Sequence, residues 1–317
     1  MSVVSAASRQ LTDLLAYLLI PGVALITPAS LSRRVLRRVS AWGWFFAAAA
    51  EAAYDGARKH VDIPDEEKWK QRWKQVELLD ARDLCMMLFG RTRSVLAEIE
   101  RPADFEIARD RVMVGMHWGP AISILKLLAV SGMRPAFPYR PTERHLLRSR
   151  PFYFLFSRRA GTYLARTLYD RAVPVGGASR VLEGLLDEPG SICVLMDAPP
   201  AQDRRAINKP ILGTSARFHV GFPALLADRH KEYVLYAMNL CADGSVRKRL
   251  EVTGPFSADN AEDFLDNYAS FLDRHLSTDS AQWRIWHAEH QFWNNPVLSP
   301  EQEAGGYQKS GFSGKAL

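Results

Sequence analysis

The residue with the clearest chemical potential is His117, within the sequence VMVGMHWGPAIS. It follows a short apolar run that predicts a buried strand, and residues 121–130 after it are predicted as a helix. In open α/β sheets, ligands bind at the carboxyl ends of the strands. A histidine at such a strand end is suited to act as a general base. The alternative is a histidine that is satisfied inside the core, and the pattern alone leaves both open.

A carboxylate follows the most apolar predicted strand. The run SICVLM at residues 191–196 predicts a central strand, and Asp197 comes directly after it. We expect Asp197 to lie at the same sheet edge as His117, where a carboxylate would orient the imidazole and stabilise its protonated form. An aspartate that only caps the next loop is the alternative. Glu143 and Asp170 are weaker candidates for the same partner role.

Other catalytic signatures are absent from the sequence. There is no glycine-rich nucleotide motif and no G-x-S-x-G nucleophile elbow, so neither a nucleotide-dependent enzyme nor an α/β-hydrolase is expected. Three widely spaced cysteines form no zinc motif and no disulfide framework. His287 and His290 lie in a tryptophan-rich stretch without a third ligand nearby, and we predict a structural role for them and no metal site.

Composition and charge narrow the class of partner. The chain of 317 residues is 47% hydrophobic and 24% charged, which excludes wholesale disorder, and its formal net charge is +6. A basic chain favours anionic lipid, nucleic acid or an acidic carrier protein. No nucleic-acid-binding motif is present, so no nucleic acid is expected. Arginines are also concentrated between residues 140 and 171. Their two alternative functions are to bind phosphate or to form a solvated face. The eight are Arg140, Arg144, Arg148, Arg150, Arg158, Arg159, Arg166 and Arg171.

The N-terminus carries a membrane signal. No charged residue occurs between Asp13 and Arg33, and the cluster Arg33–Arg38 and the pair Trp42 and Trp44 come next. Arginines and tryptophans beside an apolar run are typical of the lipid–water interface. The uncharged run is barely long enough to span a membrane, and Pro21 interrupts it. We therefore predict that residues 11–46 attach the protein to one leaflet of the membrane and do not cross it. A buried core helix is the alternative.

The remaining chain alternates predicted strands and helices. Strands are predicted at 112–116, 135–139, 172–175, 191–196, 233–240 and 248–252, and helices at 61–84, 121–130, 179–186, 221–230, 262–275 and 282–293. We therefore predict an α/β fold with a central, mostly parallel or mixed sheet flanked by helices. The predicted divisions are an N-terminal membrane-associated helical segment at 1–60, the α/β domain at 61–297 and a flexible tail at 298–317.

Residues 100–297 resemble the lysophospholipid acyltransferase superfamily. Within it, the chain is most similar to the bacterial late acyltransferases of lipid A biosynthesis and to the phosphatidylinositol mannoside acyltransferases. The similarity lies in an ordered set of motifs: VGMHWGP, SRRAG at 157–161, VLMDAPP, ILGTSARFHVGFPALLA and QWRIWHAEHQF.

This resemblance implies an activity. A fatty acyl chain would pass from an acyl carrier protein or coenzyme A thioester to a hydroxyl or amine of a membrane lipid or lipid-like metabolite. His117 would be the general base and Asp197 its partner, with the acyl thioester as co-substrate and no other cofactor. The expected location is the cytoplasmic face of a bacterial inner membrane, against anionic lipid. The implied substrate-binding residues are Arg158, Arg159, Gly119, Gly161, Arg140, Gly213 and Arg217.

One residue departs from the family pattern. The family places Asp or Glu five positions after the histidine, and this chain has Ile122 there. Isoleucine can neither orient nor charge-stabilise an imidazole. Either another carboxylate, for which Asp197 is the candidate, supplies that function, or the protein is an inactive, membrane-attached lipid- or acyl-binding protein of the same fold.

Overall fold

The computed structural model describes residues 3–27, 29–168, 171–174, 178–188, 192–198, 206–243 and 246–293. These residues form a mixed α/β fold with a five-stranded mixed sheet flanked by helices, which confirms the predicted class. Asp170 and the predicted tail at 298–317 lie outside the described residues.

The sheet is built from strands of different regions of the chain. The strands are β1 Ile99–Glu100, β2 Val112–Gly115, β3 Phe137–Tyr139, β4 Ala172–Pro174, β5 Ile192–Leu195, β6 Ala206–Ile211, β7 Thr214–His219, β8 Tyr233–Leu240 and β9 Lys248–Phe256. The sheet order is β1-β9-β8-β2-β5, and all neighbours are parallel except the antiparallel pair β8 and β9. A parallel pair, β3 and β4, adjoins β5 through a bridge between Ala136 and Ile192, and β6 and β7 form an antiparallel hairpin.

Helices cover the sheet and precede it in the chain. They are α1 Val3–Leu14, α2 Ile20–Ile26, α3 Ala29–Ser40, α4 Ala47–Ala57, α5 Glu66–Leu88, α6 Thr92–Leu96, α7 Ser123–Val130, α8 Leu146–Ser149, α9 Pro151–Thr167, α10 Ala178–Leu186, α11 Gly221–Asp228, α12 Ala261–Asp279 and α13 His290–Trp293. A π-helical turn, Leu15–Leu19, joins α1 to α2. The helix predicted at 282–293 is instead two 3₁₀ turns, Ser280–Gln282 and Trp286–Ala288, followed by α13.

Close packing between β2 and β8 fixes the position of the carboxyl end of β2. A Cβ added to Gly115 would lie 2.4 Å from Cζ of Tyr236, so only glycine lets this ring pack against the strand. The Tyr236 hydroxyl is 3.2 Å from Sγ of Cys193 on β5. Three neighbouring strands are thus packed tightly just before His117, and this rigid sheet centre fixes the position of the histidine backbone.

The N-terminal helices share the core of the rest of the chain. One apolar cluster runs from Ala16 and Phe45 through Trp73 to the sheet and α12, so the core crosses the predicted boundary at residue 60. Asp13, which is only 1% exposed, accepts two hydrogen bonds from Arg150 at the start of α9. A buried carboxylate needs such a partner. The helical stretch from Arg9 to Ile26 is also long and apolar enough to cross a membrane, and 33% of its residues are buried in the protein.

A buried ionic cluster that sequence reasoning missed joins α5 to the sheet. Lys248 at the start of β9 contacts Asp83, and both side chains are fully buried. Arg82 pairs with Asp83 and donates two hydrogen bonds to Glu98 at 2.6 and 2.7 Å. Each charge is therefore compensated, as buried charges must be. The cluster fixes α5 against the sheet, and α5 in turn carries two carboxylates to the cavity described below.

Candidate active site

His117 and Asp197 lie against each other at the carboxyl ends of β2 and β5. Nδ1 of His117 is 2.8 Å from Oδ1 of Asp197, and the His117 backbone N–H donates to Oδ2 at 2.7 Å. The two strands are parallel neighbours in register, with Gly115 opposite Leu195, so the residues that follow them emerge side by side. The sheet edge therefore brings together the two residues that the sequence analysis paired.

Asp197 is fully buried and accepts hydrogen bonds from three donors. Besides the two donors of His117, the indole N–H of Trp283 donates to Oδ2 at 2.7 Å. A carboxylate accepts hydrogen bonds only, so the proton of the neutral imidazole belongs on Nδ1. Nε2 then keeps its lone pair, on a side chain that is 36% exposed and lines a cavity. This is the tautomer that a general base requires.

The loop after His117 is held by hydrogen bonds that its N–H groups donate to other segments. The Gly119 N–H donates to the Gln282 carbonyl at 2.9 Å, and the Ile122 N–H donates to Asp80 at 2.9 Å. A Cβ on Gly119, whose φ is +59°, would lie 1.8 Å from the carbonyl oxygen of Met238. Gly119 is therefore required for close packing of the loop on β8, and its N–H is already used inside the protein.

The C-terminal segment Gln282–Arg284 completes the site. Gln282 receives the Gly119 N–H, Trp283 holds Asp197, and the Arg284 backbone N–H donates to the His117 carbonyl at 2.9 Å. The Arg284 guanidinium binds Glu77 at 2.7 and 2.9 Å and Asp80 at 2.6 Å, both on α5. Three consecutive residues thus tie the histidine loop, the aspartate and α5 into one unit through backbone and side-chain hydrogen bonds.

A cavity of about 1530 Å³ opens beside His117. Such a volume exceeds the roughly 300–1,000 Å³ of typical small-molecule sites, so it has room for a long or branched ligand. Its wall combines aromatic residues with charged ones. The aromatic residues come from the N-terminal helices, α5, α9 and the end of β3: Tyr17, Phe46, Trp73, Tyr139, Tyr153, Phe154 and Phe156.

Four arginines from residues 140–158 line this cavity: Arg140, Arg144, Arg150 and Arg158. Arg150 is paired with Asp13. The other three are exposed and form no ion pair within the described part of the chain. Guanidinium groups without an acidic partner at a cavity mouth are suited to bind an anionic group such as phosphate.

The predicted substrate residues divide into two groups. Arg140, Arg158 and Gly161 line the cavity beside His117. Arg159, although adjacent to Arg158, is exposed and is not among the residues of the cavity wall. Gly213, with φ of +72°, lies in the turn between β6 and β7, and Arg217 lies on β7 opposite Asn208, so the structure does not bring either to the cavity wall.

Several residues of the cavity wall were not expected there. Glu77 and Asp80 belong to the predicted helix at 61–84, whose many charged residues gave no sign of a cavity, and Arg284 had no local signal. His287, predicted to be structural, also lines the cavity, and partial desolvation lowers the pKa of its imidazole. Among the described residues, no group of three metal-ligating side chains occurs. Only the tertiary fold unites these residues with His117.

No protein-family model matches the chain, and no curated protein matches it in sequence.

Proposed function

We propose that the protein is an acyltransferase that moves a fatty acyl chain from an acyl carrier protein or coenzyme A thioester to a hydroxyl or amine of a membrane lipid or lipid-like metabolite. The observation that carries the proposal is the His117–Asp197 pair, with Nδ1 held at 2.8 Å by a buried carboxylate and the imidazole facing the large cavity. The family resemblance of the surrounding motifs supports it.

The proposed reaction needs one base and no covalent intermediate. Nε2 of His117 takes the proton of the acceptor hydroxyl or amine as that group attacks the thioester carbonyl carbon. The tetrahedral intermediate then collapses, the carbon–sulfur bond breaks, and the thiolate leaves with the proton from the imidazolium. Asp197 stabilises the imidazolium between these two steps. The products are the acylated acceptor and the free thiol.

The oxyanion is best stabilised by an arginine side chain. The backbone N–H groups of the histidine loop already have internal acceptors: Trp118 donates to Met116, Gly119 to Gln282, Ala121 to Gly119, and Ile122 to Asp80. Arg140 and Arg158 line the same cavity as His117, and neither guanidinium forms an ion pair with another described residue. We assign the oxyanion contact to one of them, and the phosphate of the donor or acceptor to the remaining arginines.

The N-terminal helices supply the proposed membrane attachment. Leu11, Leu18, Val23 and Ile26 are exposed on the long apolar helix, and Trp42 and Trp44 stack on each other at 5.6 Å and are each more than 40% exposed. Tyr17 and Phe46 of the same region line the cavity. A lipid acceptor would therefore enter beside the membrane-facing helices, at the cytoplasmic face of a bacterial inner membrane.

Ile122 favours a second candidate function. It occupies the position of the family carboxylate, and an inactive protein that only binds lipid or acyl chains would need no carboxylate there. Ile122 itself packs against apolar residues of two core clusters. This candidate requires the cavity and the membrane surface but not the lone pair of His117.

Lipid mass spectrometry of the host distinguishes the two. Cells without the gene are complemented with the wild type, with His117→Ala, or with the exposed control His290→Ala. We expect one acylated lipid species to be present in cells with the wild type or with His290→Ala, and to be absent in cells with His117→Ala. Equal lipid profiles for the wild type and His117→Ala would contradict catalysis and favour the binding protein.

A further inference from the structure

Two separate stretches of the chain are rich in arginine and lack acidic residues. From Leu14 to Ala50 there is no Asp or Glu, and Arg33, Arg34, Arg37 and Arg38 fall in this stretch. From Leu84 to Ala97 there is again no Asp or Glu, and Arg91 and Arg93 are present. The second stretch had drawn no functional interpretation from the sequence.

The fold joins these stretches at one corner of the molecule. The Arg91 guanidinium donates to the Leu25 carbonyl at 3.3 Å, and Leu25 packs against the apolar cluster of Met86, Met87 and Val95. Residues 89–93, which we name the Phe89 corner, therefore lie beside the end of α2. Arg91 and Arg93 are both exposed there.

The most exposed large apolar side chains of the described residues belong to this corner and to the neighbouring end of α2. Ile26 is 86% exposed and Phe89 is 65% exposed, the two highest values among the large hydrophobic side chains that the structure describes. They come from the two segments that the Arg91–Leu25 hydrogen bond connects. Exposed apolar side chains that cluster in this way mark an interaction surface.

Helix α3 extends this surface along α5. Its buried side holds Leu36 and Val39, and its four arginines are all exposed on the other side. At its far end, Gln71 of α5 donates to the Arg37 carbonyl at 3.3 Å and Lys74 donates to the Trp42 carbonyl at 3.0 Å. A basic helix face is thus flanked by exposed apolar side chains at both ends, Ile26 with Phe89 and Trp42 with Trp44.

We propose that the Phe89 corner is a second membrane-contact site that inserts Phe89 beside Ile26 into an anionic lipid surface. This rests on the membrane attachment in the proposed function and adds a contact outside the N-terminal segment. The two anchors at opposite ends of α3 fix the protein flat on the bilayer with the arginine face on the headgroups. Amphipathic basic surfaces of this kind bind by apolar insertion together with attraction to anionic lipid.

The chemistry of the surface favours lipid over an acidic protein. An acidic carrier would pair with the arginines, but it would leave Ile26 and Phe89 in water. A bilayer with anionic headgroups satisfies both the six arginines and the apolar tips. The absence of any acidic residue in the two stretches removes the repulsion that such headgroups would otherwise meet.

Vesicle sedimentation with the full-length protein tests the proposal. The variants are Phe89→Ser, Arg91→Gln and, as a control exposed elsewhere on α10, Val181→Ser. With vesicles that contain phosphatidylglycerol, we expect Phe89→Ser to weaken partitioning about tenfold. Arg91→Gln should weaken it about fivefold at low salt and less at high salt. Val181→Ser should partition as the wild type does, and vesicles of phosphatidylcholine alone should bind less of every protein.

Each other outcome has a definite meaning. If the wild type binds vesicles and Phe89→Ser partitions equally well, the second contact is wrong, and the attachment through the N-terminal helices is unaffected. Absence of binding by the wild type overturns both. If Arg91→Gln and Phe89→Ser weaken binding to an acyl carrier protein and not to vesicles, the surface serves the carrier and the proposal is wrong. None of these readouts requires acyl transfer.

Discussion

Asp197→Asn isolates the function of the carboxylate with little change in shape. In the wild type, Oδ2 accepts from the His117 backbone N–H and from Trp283, and Oδ1 faces Nδ1 of His117. The asparagine oxygen can keep both donors of Oδ2. Its amide N–H₂ then takes the place of Oδ1 and can only donate. Nδ1 must therefore become an acceptor, and the proton moves to Nε2, which removes the lone pair from the cavity.

The expected magnitudes for rate and stability differ strongly. Loss of a general base lowers the rate by typically 10²–10⁴-fold, which is about 3–5 kcal/mol in the activation free energy. The free energy of unfolding should change by only about 1 kcal/mol. The His117 backbone N–H, the Trp283 indole N–H and Nδ1 of His117 each keep a hydrogen-bond partner in the variant. Asp197→Ala is the wrong variant for this purpose, since it leaves three buried N–H groups unpaired at about 1–3 kcal/mol each.

The assay combines initial rates of acyl transfer with thermal unfolding and with ¹⁵N NMR of the histidine ring. We expect the Asp197→Asn protein to fold, with Tm within about 4 °C of the wild type. Its rate should fall at least about 100-fold. The His117 signal, identified by its loss in His117→Ala, should change from the Nδ1–H to the Nε2–H tautomer. A wild-type rate, or an unchanged tautomer with a lost rate, would refute this reasoning.

Three further outcomes are expected. Arg158→Ala should raise KM for a phosphate-bearing substrate about tenfold at low salt, while the adjacent Arg159→Ala should leave KM unchanged, because only Arg158 lines the cavity; equal effects in steady-state kinetics would contradict this. Ile122→Glu should lower both rate and Tm, because the new carboxylate would approach Asp80, which already binds the Ile122 N–H; a raised rate would show that the family position can still be used. A hydrogen bond from His275 lowers the pKa of Glu251 from 4.5 to about 2, so this carboxylate stabilises the fold above its unfolded pKa and the contribution is lost as pH falls from about 4.5 towards 2. Glu251→Gln should therefore lower stability at pH 7 by about 1–3 kcal/mol and flatten its decline in acid, as urea unfolding across pH would measure.

Part of the fold follows directly from sequence patterns. Strand β8 was predicted over its full length because YVLYAMNL is apolar except for Asn239 and is buried on both faces. The hairpin of β6 and β7 was missed because Lys209, Pro210 and Arg217 interrupt the apolar pattern. Its strands form because Ile211 and Phe218 face the core while Lys209 pairs with Asp266 of α12, and such tertiary contacts have no local signal.

The candidate active site was also predictable only in part. His117 and Asp197 could be paired from the sequence because each directly follows a buried strand, and parallel strands end at one edge. Trp283 and Arg284 lie more than 80 residues from Asp197 in the chain, and nothing local indicates that they hold the pair together. Glu77 and Asp80 were hidden for another reason, since a helix rich in charge reads as solvated until its partner Arg284 is known.

The most direct test of the central claim is acyl transfer by purified protein to the host lipid extract, with acyl carrier protein and coenzyme A donors in parallel. We expect transfer by the wild type and by His290→Ala, with at least one donor, and a loss of about 100-fold or more in His117→Ala. The same rate in the wild type and His117→Ala, or no transfer by the wild type with either donor, would contradict it.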